Sequence, residues 1–366
     1  MWEIADNVRI SVIVPVYNAE EYLVQMIESV LMQTFSNWKM ILIESASDDN
    51  SLMLCKLYEE KCPNIHVIET EKRGPGYARN EGLKYATGDY IVFMDADDYL
   101  SNPNVFSDFV MVADSVHADI TVCNYERLWK GKLLSAAKLS QFAEFSSDSE
   151  EFRFRGFFSI GTLSYVWGKL YRRTFLEEHR LQFSDFEYAE DKLFNLQCYI
   201  CGARYAFVQE NGYVYRKNEQ SISHQYKMES SKCWLGIAQE LKNWIESQTD
   251  VHNIQERKKQ ERLIDYTIFF ASFFDSKMEY VEHKKSVLAA RRVLRLYGKE
   301  SIGKECFEKL VKAKKKDLPN QILWRIMLRG FSFGMWIRCY GLLAIGIKIL
   351  IDQRVDERLS DTGLRE

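Results

Sequence analysis

The sequence predicts an α/β fold in which helices cover both faces of a mostly parallel sheet. Four short apolar runs occur within the first hundred residues, and amphipathic segments separate them. Nearly continuous apolar strands are typical of a sheet that is buried on both faces, and parallel strands need helical crossovers. The predicted strands are Ile10–Val16, Trp38–Ile43, Ile65–Ile68 and Tyr90–Met94, with a fifth at Ile120–Cys123.

Two helices are predicted between these strands. Leu23, Ile27 and Val30 place an apolar stripe on one face of a helix that begins near Ala19. A second helix is predicted over residues 78–86. In such sheets ligands bind beyond the carboxyl ends of the strands.

The chain of 366 residues is long for a single core, and the sequence predicts two domains. The first spans residues 1–225. The second spans residues 226–366 and is helical, because its long charged and aromatic segments contain few Gly or Pro. Its predicted helices are Trp234–Ser247, Gln255–Phe274 and His283–Tyr297.

An amphipathic segment over residues 320–352 follows a cluster of four lysines between Lys312 and Lys316. Arginines and a lysine interrupt its apolar residues, so the segment lacks the charge-free span of about 20 residues that a transmembrane helix requires. Two interpretations remain: a helix lying in the membrane interface, or a helix packed on protein.

Composition excludes some classes of partner. A net charge of −3 gives no electrostatic reason to expect binding to nucleic acid. The eight cysteines are scattered, as expected for reduced thiols, and no secretory signal is visible at the first residues. The sequence therefore predicts a cytoplasmic protein.

Charge is concentrated at Asp95-Ala96-Asp97-Asp98, directly after the fourth strand. Three carboxylates in four positions repel one another unless a cation lies among them, and Mg²⁺ or Mn²⁺ held by carboxylates completes its shell with substrate phosphates. The sequence thus predicts a metal–phosphate site here. A solvated turn or an Asp-rich helix N-terminus is the alternative.

Four segments in order resemble glycosyltransferase family 2, whose members have the GT-A fold, a Rossmann-like sheet, and use nucleotide-diphospho-sugars. They are Ser11-Val12-Ile13-Val14-Pro15-Val16-Tyr17-Asn18, Gly74-Pro75-Gly76-Tyr77-Ala78-Arg79, Asp95-Ala96-Asp97 and Tyr188-Ala189-Glu190-Asp191. The resemblance covers roughly residues 10–225 and includes bacterial capsular and exopolysaccharide enzymes. In the family's acidic segment after the second strand, Glu44 keeps the carboxylate, whereas Ser45 and Ala46 depart from the pattern.

The resemblance implies roles for the matching residues. Asp97 is the expected ligand of Mn²⁺ or Mg²⁺, with His224 as a further candidate ligand, and Asp98 is expected to order the acceptor-side loop. The residues expected to bind the donor, a UDP-sugar, are Pro15, Tyr17, Glu44, Arg73, Arg79, Asp95 and Ala96.

The resemblance also implies a catalytic base. An inverting transfer needs a carboxylate to take the proton of the acceptor hydroxyl. Asp191 is the expected base, with Glu190 as the second candidate. Two acids at a helix N-terminus would give the same local sequence. Trp167 is expected either to stack on a sugar or to lie in the core.

The predicted protein is a metal-dependent inverting hexosyl- or N-acetylhexosaminyltransferase that extends a cell-surface glycan or lipid-linked oligosaccharide, peripheral to the inner face of the membrane. Two other classes remain open. One is a sugar-nucleotide-binding protein without activity. The other is a haloacid-dehalogenase-type phosphatase, which the position of the acidic motif on the fourth strand disfavours. A dinucleotide-binding dehydrogenase fails because the glycine motif does not follow the first strand.

Overall fold

The computed structural model describes residues 8–135, 139–142, 145–217, 228–247 and 254–355. Within these ranges the chain divides into two compact units. The first comprises the chain to Phe142 and again from Tyr165 to Lys217, and the second comprises Phe145–Ser164 and the chain from Met228 onward. The sequence did not indicate that residues 145–164 join the helical unit. The division at residue 225 stays a prediction.

The strands of the described residues form one sheet. They are β1 (Ile10–Val16), β2 (Trp38–Glu44), β3 (Ile65–Glu69), β4 (Tyr90–Phe93), β5 (Tyr99–Leu100), β6 (Ile120–Trp129), β7 (Lys132–Ser135), β8 (Lys169–Arg172) and β9 (Tyr205–Arg216). The order across the sheet is β3-β2-β1-β4-β8-β6-β9-β5, with β7 paired to β6.

The first half of the sheet is parallel, as predicted. β1 pairs in parallel with β2 and with β4, and β2 pairs in parallel with β3. In the second half β8 is antiparallel to both of its neighbours, whereas β6 and β9 are parallel. The α/β fold class is confirmed, and β8 and β9 are strands that the apolar pattern did not reveal.

The helices alternate with the strands in the first unit and follow one another in the second. They are α1 (Leu23–Leu31), α2 (Ser51–Lys61), α3 (Pro75–Tyr85), α4 (Val105–Val116), α5 (Glu150–Phe154), α6 (Arg173–Glu178), α7 (Glu190–Ile200), α8 (Met228–Ser247), α9 (Ile254–Glu282), α10 (Val287–Lys299), α11 (Ser301–Lys312), α12 (Ile322–Trp336) and α13 (Tyr340–Asp352).

Helix α3 begins three residues earlier than the predicted Ala78. Gly74 has φ of +96°, a conformation that favours glycine, and Pro75 occupies the first turn, where a missing backbone N–H costs nothing. This pair therefore sets the start of α3. Helix α1 begins at Leu23 rather than near Ala19.

The carboxyl edge of the parallel strands carries the predicted site. Glu44 is the last residue of β2, and Asp95 follows the end of β4. β1, β2 and β4 are buried along almost their whole length, which fixes the position of this edge.

The helical second unit is confirmed. Tyr266, Tyr280 and Tyr297 are fully buried in its core. The amphipathic segment consists of two helices, α12 and α13, which are separated at residues 337–339. Among the described residues, none of the helices has the length and apolar character needed to span a membrane.

Candidate active site

Arg79 links two of the predicted site segments. Its Nη2 donates to Asp95 Oδ1 at 2.8 Å and its Nη1 to Glu190 Oε1 at 2.8 Å. The Arg79 side chain is 5% exposed. Burial alone would lower the pKa of Arg79, but Asp95 and Glu190 outweigh it, and the pKa is raised. The loop after β4 and the start of α7 are thus held together by one buried guanidinium.

Gly76 makes this approach possible. A Cβ at Gly76 would lie 3.1 Å from the Glu190 Cγ and 3.1 Å from the Ser184 carbonyl oxygen. A side chain there would press α3 away from Glu190. The glycine of the predicted motif therefore allows close approach between two protein segments.

Asp98 is buried and forms the floor of the acidic loop. Its carboxylate accepts hydrogen bonds from the Tyr213 hydroxyl at 2.8 Å and from the Arg216 backbone N–H at 2.7 Å. Burial, followed by the charges of Asp97 and Asp95, raises its pKa well above the usual range. The Tyr213 hydroxyl also accepts the backbone N–H of Asp95 at 3.2 Å. Tyr213 therefore fixes both ends of the acidic loop.

Asp97 lies between Asp95 and Asp98, which are held by hydrogen bonds to Tyr213. Its carboxylate has no ion pair with any described residue and accepts no hydrogen bond from another one. Burial and the charge of Asp95 raise its pKa to about 6. Because this partly buried carboxylate forms no ion pair with a described residue, an oxygen-preferring divalent ion fits this position.

Arg216 orients the Asp97 backbone. Its Nε donates to the Asp97 carbonyl oxygen at 2.9 Å, its Nη2 donates to Gln25 Oε1 at 2.6 Å, and its guanidinium lies 4.7 Å from the Tyr22 ring centroid. The sequence did not indicate this role for Arg216.

Glu190 and Asp191 open helix α7 after a strained residue. Ala189 has φ of +60°, which is uncommon for a residue with a Cβ. Glu190 is engaged by Arg79, whereas Asp191 accepts the backbone N–H of Lys192 at 2.7 Å. Burial and the charge of Glu190 raise the pKa of Asp191 to about 7.

A buried cation lies near Asp191. Lys169, on β8, is completely buried, and its Nζ donates to the Tyr165 carbonyl oxygen. Burial lowers the pKa of Lys169 to about 7, although the charge of Asp191 opposes this effect. The predicted base thus shares its surroundings with an amine that loses its proton in the same pH range.

The residues expected at the nucleoside end lie at the carboxyl end of β1 and directly before α3. Pro15 is in β1, and Tyr17 is 38% exposed with the Lys72 Nζ 4.0 Å from its ring centroid. Arg73 lies over the Tyr77 ring at 4.3 Å. Exposed aromatic rings near cations form a surface on which a base could stack.

Glu44 shapes the loop that follows β2. Its buried carboxylate accepts the backbone N–H groups of Ala46 at 3.2 Å and Ser47 at 2.8 Å. Ala46 has φ of +54°. Both Glu44 oxygens are therefore used within the protein.

The other predicted residues have different surroundings. Ala96 is buried within the acidic loop. Trp167 is buried and stacks between Tyr165 at 4.6 Å and Tyr213 at 4.9 Å, so it lies in an aromatic core layer beneath the loop. His224 lies outside the described residues.

The chain is similar in sequence to known glycosyltransferases. Residues 11–180 match the sequence model of the family described as "Glycosyl transferase family 2". The chain is 33% identical over 224 residues to the "Uncharacterized glycosyltransferase EpsJ" of Bacillus subtilis (strain 168), covering 58% of this chain and 62% of that protein. It is 31% identical over 212 residues to the "Poly(ribitol-phosphate) beta-N-acetylglucosaminyltransferase TarS" of Staphylococcus aureus (strain MW2), covering 57% and 35%. These matches span less than two thirds of either relative.

A solved structure has the same fold over most of the chain. The crystal structure of S. aureus TarS 1-349 in complex with UDP-GlcNAc aligns with a TM-score of 0.66 and 20% identity, covering 94% of this chain and 92% of that one. At this identity the likeness establishes the fold.

Proposed function

We propose that this chain, whose residues 11–180 match the model of glycosyltransferase family 2, transfers a sugar with inversion from a nucleotide-diphospho-sugar to a glycan or lipid-linked acceptor. The observation that carries this proposal is the buried Arg79 bridge between Asp95 and Glu190. The bridge joins the loop that would face the donor to the helix that would supply the base. An enzyme accelerates a transfer when it holds both substrates and the catalytic group in the reacting geometry.

Asp97 is the proposed ligand of Mn²⁺ or Mg²⁺. Its unpaired, half-buried carboxylate and its oxygen chemistry support this role. A bound divalent ion would neutralise the charge that develops on the leaving diphosphate. Asp98, Tyr213 and Arg216 hold the loop so that the Asp97 carboxylate has a fixed position. His224 remains a proposed second ligand.

Asp191 is the proposed general base. A pKa of about 7 suits a group that must be deprotonated near neutral pH and still accept a proton readily. Glu190 is engaged by Arg79 and is therefore better suited to hold the helix end than to move a proton. The proton of the acceptor hydroxyl would pass to a carboxylate oxygen of Asp191.

UDP is the proposed nucleotide. The similar TarS structure is titled as a complex with UDP-GlcNAc, which supports a UDP-hexose or UDP-N-acetylhexosamine donor here. Tyr17 and Arg73 offer an aromatic and a cationic surface for the base and phosphates. Pro15 lies near the end of β1, and Ala96 lies in the loop after β4. Glu44 would act through the shape of its loop.

The proposed pathway is synthesis of a cell-surface polysaccharide, such as an exopolysaccharide or a capsule. The names of the relatives support a cell-envelope role, since one is described as a poly(ribitol-phosphate) beta-N-acetylglucosaminyltransferase. Nucleotide sugars and lipid-linked acceptors would meet at the inner face of the cell membrane, where we place the protein.

A donor screen tests the proposal. The purified protein is incubated with single UDP-, GDP- and dTDP-sugars and Mn²⁺ or Mg²⁺, and release of the nucleoside diphosphate is measured. We expect release from a UDP-sugar and its loss in Asp97→Ala. Binding without any turnover would favour a sugar-nucleotide-binding protein. Release of inorganic phosphate from a phosphomonoester would favour a phosphatase and refute the transferase.

A further inference from the structure

Helices α12 and α13 are apolar on two opposite faces. On α12 the inward face carries Trp324, Leu328, Phe331 and Met335, all of which are buried. These residues recur at intervals of three and four, as a single helix face requires. This face explains how α12 packs within the helical unit but leaves the opposite face unexplained.

The opposite face is exposed and is also apolar. Ile322, Ile326 and Phe333 on α12, with Ile337 directly after the helix, follow the same spacing and are between 47% and 70% exposed. A helix that is apolar all round is normally covered on every side, by protein or by lipid. The exposed large apolar residues from 322 to 349 are Ile322, Leu323, Ile326, Phe333, Trp336, Ile337, Leu342, Ile345 and Ile349. We call this set the α12–α13 surface.

A mostly apolar cavity with three basic residues among its lining opens at one end of the α12–α13 surface. It has a volume of about 330 Å³ and is lined by Lys315, Arg325, Arg329, Ile322 and Ile326, with no acidic residue. None of the three cations forms an ion pair with a described residue, although Arg325 Nη2 donates to the Asn320 carbonyl oxygen at 2.5 Å and Arg329 Nη2 to the Ala313 carbonyl oxygen at 2.7 Å. Arg325 Nε is buried without a hydrogen-bond partner. Cations beside apolar side chains suit a ligand that is both anionic and apolar.

The segment that contains this surface is positively charged as a whole. Residues 312–352 contain eight Lys and Arg against two Asp, a net charge of +6 in a chain whose net charge is −3. A second copy of the chain is therefore a poor cover, because a two-fold interface would set these cations against one another. An anionic bilayer offers phosphates to the cations and hydrocarbon to the apolar residues.

We propose that the α12–α13 surface docks on an anionic lipid bilayer, with lipid phosphate groups beside Lys315, Arg325 and Arg329 and acyl chains against the apolar side chains. Trp336 and Phe333 then lie at headgroup depth, where aromatic rings are favoured. The docking is independent of the transfer reaction, although its use in reaching a lipid-linked acceptor rests on the proposed function.

Vesicle co-sedimentation of the full chain tests the docking. We expect the protein to sediment with vesicles of equal parts phosphatidylglycerol and phosphatidylcholine at about 0.1 M salt and to remain in solution at about 1 M, where the Debye length falls to about 3 Å. We expect little sedimentation with phosphatidylcholine alone.

Matched variants identify the surface. Ile322→Ser with Ile326→Ser replaces residues that are 70% and 63% exposed, so the fold should persist. Met53→Ser with Met111→Ser is the control, because these residues are 62% and 65% exposed on α2 and α4. We expect the first pair to weaken vesicle binding at least tenfold and the control to leave it unchanged. Lys315→Gln with Lys316→Gln should weaken it by about 25-fold, since each basic residue near an anionic surface contributes roughly a factor of five.

Several results would overturn the proposal. Equal binding to neutral vesicles would remove the role of the cations, and no binding to either vesicle would remove the docking itself. A dimer of the wild type that becomes a monomer in the Ile322→Ser and Ile326→Ser variant would assign the surface to a second copy instead. Nucleotide release in free solution is measured on the same preparations, so loss of docking and loss of transferase activity are distinguished.

Discussion

Replacing Arg79 with methionine should lower the free energy of unfolding by about 3–5 kcal/mol, the usual cost of removing one partner from a buried ion pair. Methionine keeps much of the length and the apolar stem of the side chain but removes the guanidinium. The Glu190 carboxylate, 8% exposed, would then be left without its cation. Glycosyl transfer should be lost at the same time, because the donor loop and α7 are no longer joined.

Most of the expected loss of unfolding free energy comes from the Arg79–Glu190 pair. Arg79 and Glu190 are both under 10% exposed, so breaking their pair leaves a charge that water does not reach. Asp95 is 32% exposed, and a pair so close to solvent contributes less than about 1 kcal/mol. Adding Glu190→Gln to Arg79→Met removes the stranded charge, and the double variant should recover about half of the loss.

Urea unfolding followed by tryptophan fluorescence measures these differences, with the slope checked for each variant. Lys84→Met is the control on the same helix, because Lys84 pairs with Glu81 at the surface, and it should leave the midpoint unchanged. A loss of stability below about 1 kcal/mol for Arg79→Met would contradict a costly buried pair, because a solvated surface pair has a cost of that size. So would failure of Glu190→Gln to recover any stability.

Five further variants at four positions test the site. Asp97→Asn should reduce Mn²⁺-dependent nucleotide release at least about 100-fold, measured against the wild type at saturating metal. The kcat of the wild type should rise about tenfold per pH unit up to about pH 7 and then level off, because Asp191 must lose its proton. Asp191→Asn should lower kcat at least about 100-fold and make it independent of pH over this range. The raised pKa of Asp191 also means that its ionisation destabilises the folded state as the pH rises, so Asp191→Asn should gain more urea resistance at about pH 8 than at about pH 5. Tyr213→Phe should cost about 1–3 kcal/mol of stability, because buried Asp98 loses a donor and the Asp95 N–H loses its acceptor. Ala189→Gly should be near neutral, whereas Ala189→Val should cost about 1–3 kcal/mol because of the left-handed backbone.

The parallel half of the fold could be predicted because its strands are buried on both faces and its helices follow at once. β1 has the predicted bounds, and β2 and β3 differ by one residue. β8 and β9 were missed for a physical reason. β8 has four residues, and β9 pairs with β6 through register shifts next to Cys123 and Asn124 that break the alternation of apolar residues.

The site could be predicted in part. The acidic loop, Arg79 and the Glu190-Asp191 pair stand in ordered motifs, and the fold brings Arg79, Asp95 and Glu190 into contact. The contributions of Tyr213 and of the Arg216 guanidinium could not be predicted. Both act across more than 110 positions of sequence, through a strand pairing that no local pattern indicates.

We propose that Asp97 completes a nucleotide–metal site beside the Arg79 bridge. The test is calorimetric titration of UDP into the protein, once with Mn²⁺ present and once with EDTA instead. It is carried out on the wild type and on Asp97→Asn. We expect Mn²⁺ to raise the affinity of the wild type for UDP at least about tenfold and that of Asp97→Asn much less. Equal UDP affinity with and without metal in the wild type, or an undiminished gain in Asp97→Asn, would contradict it.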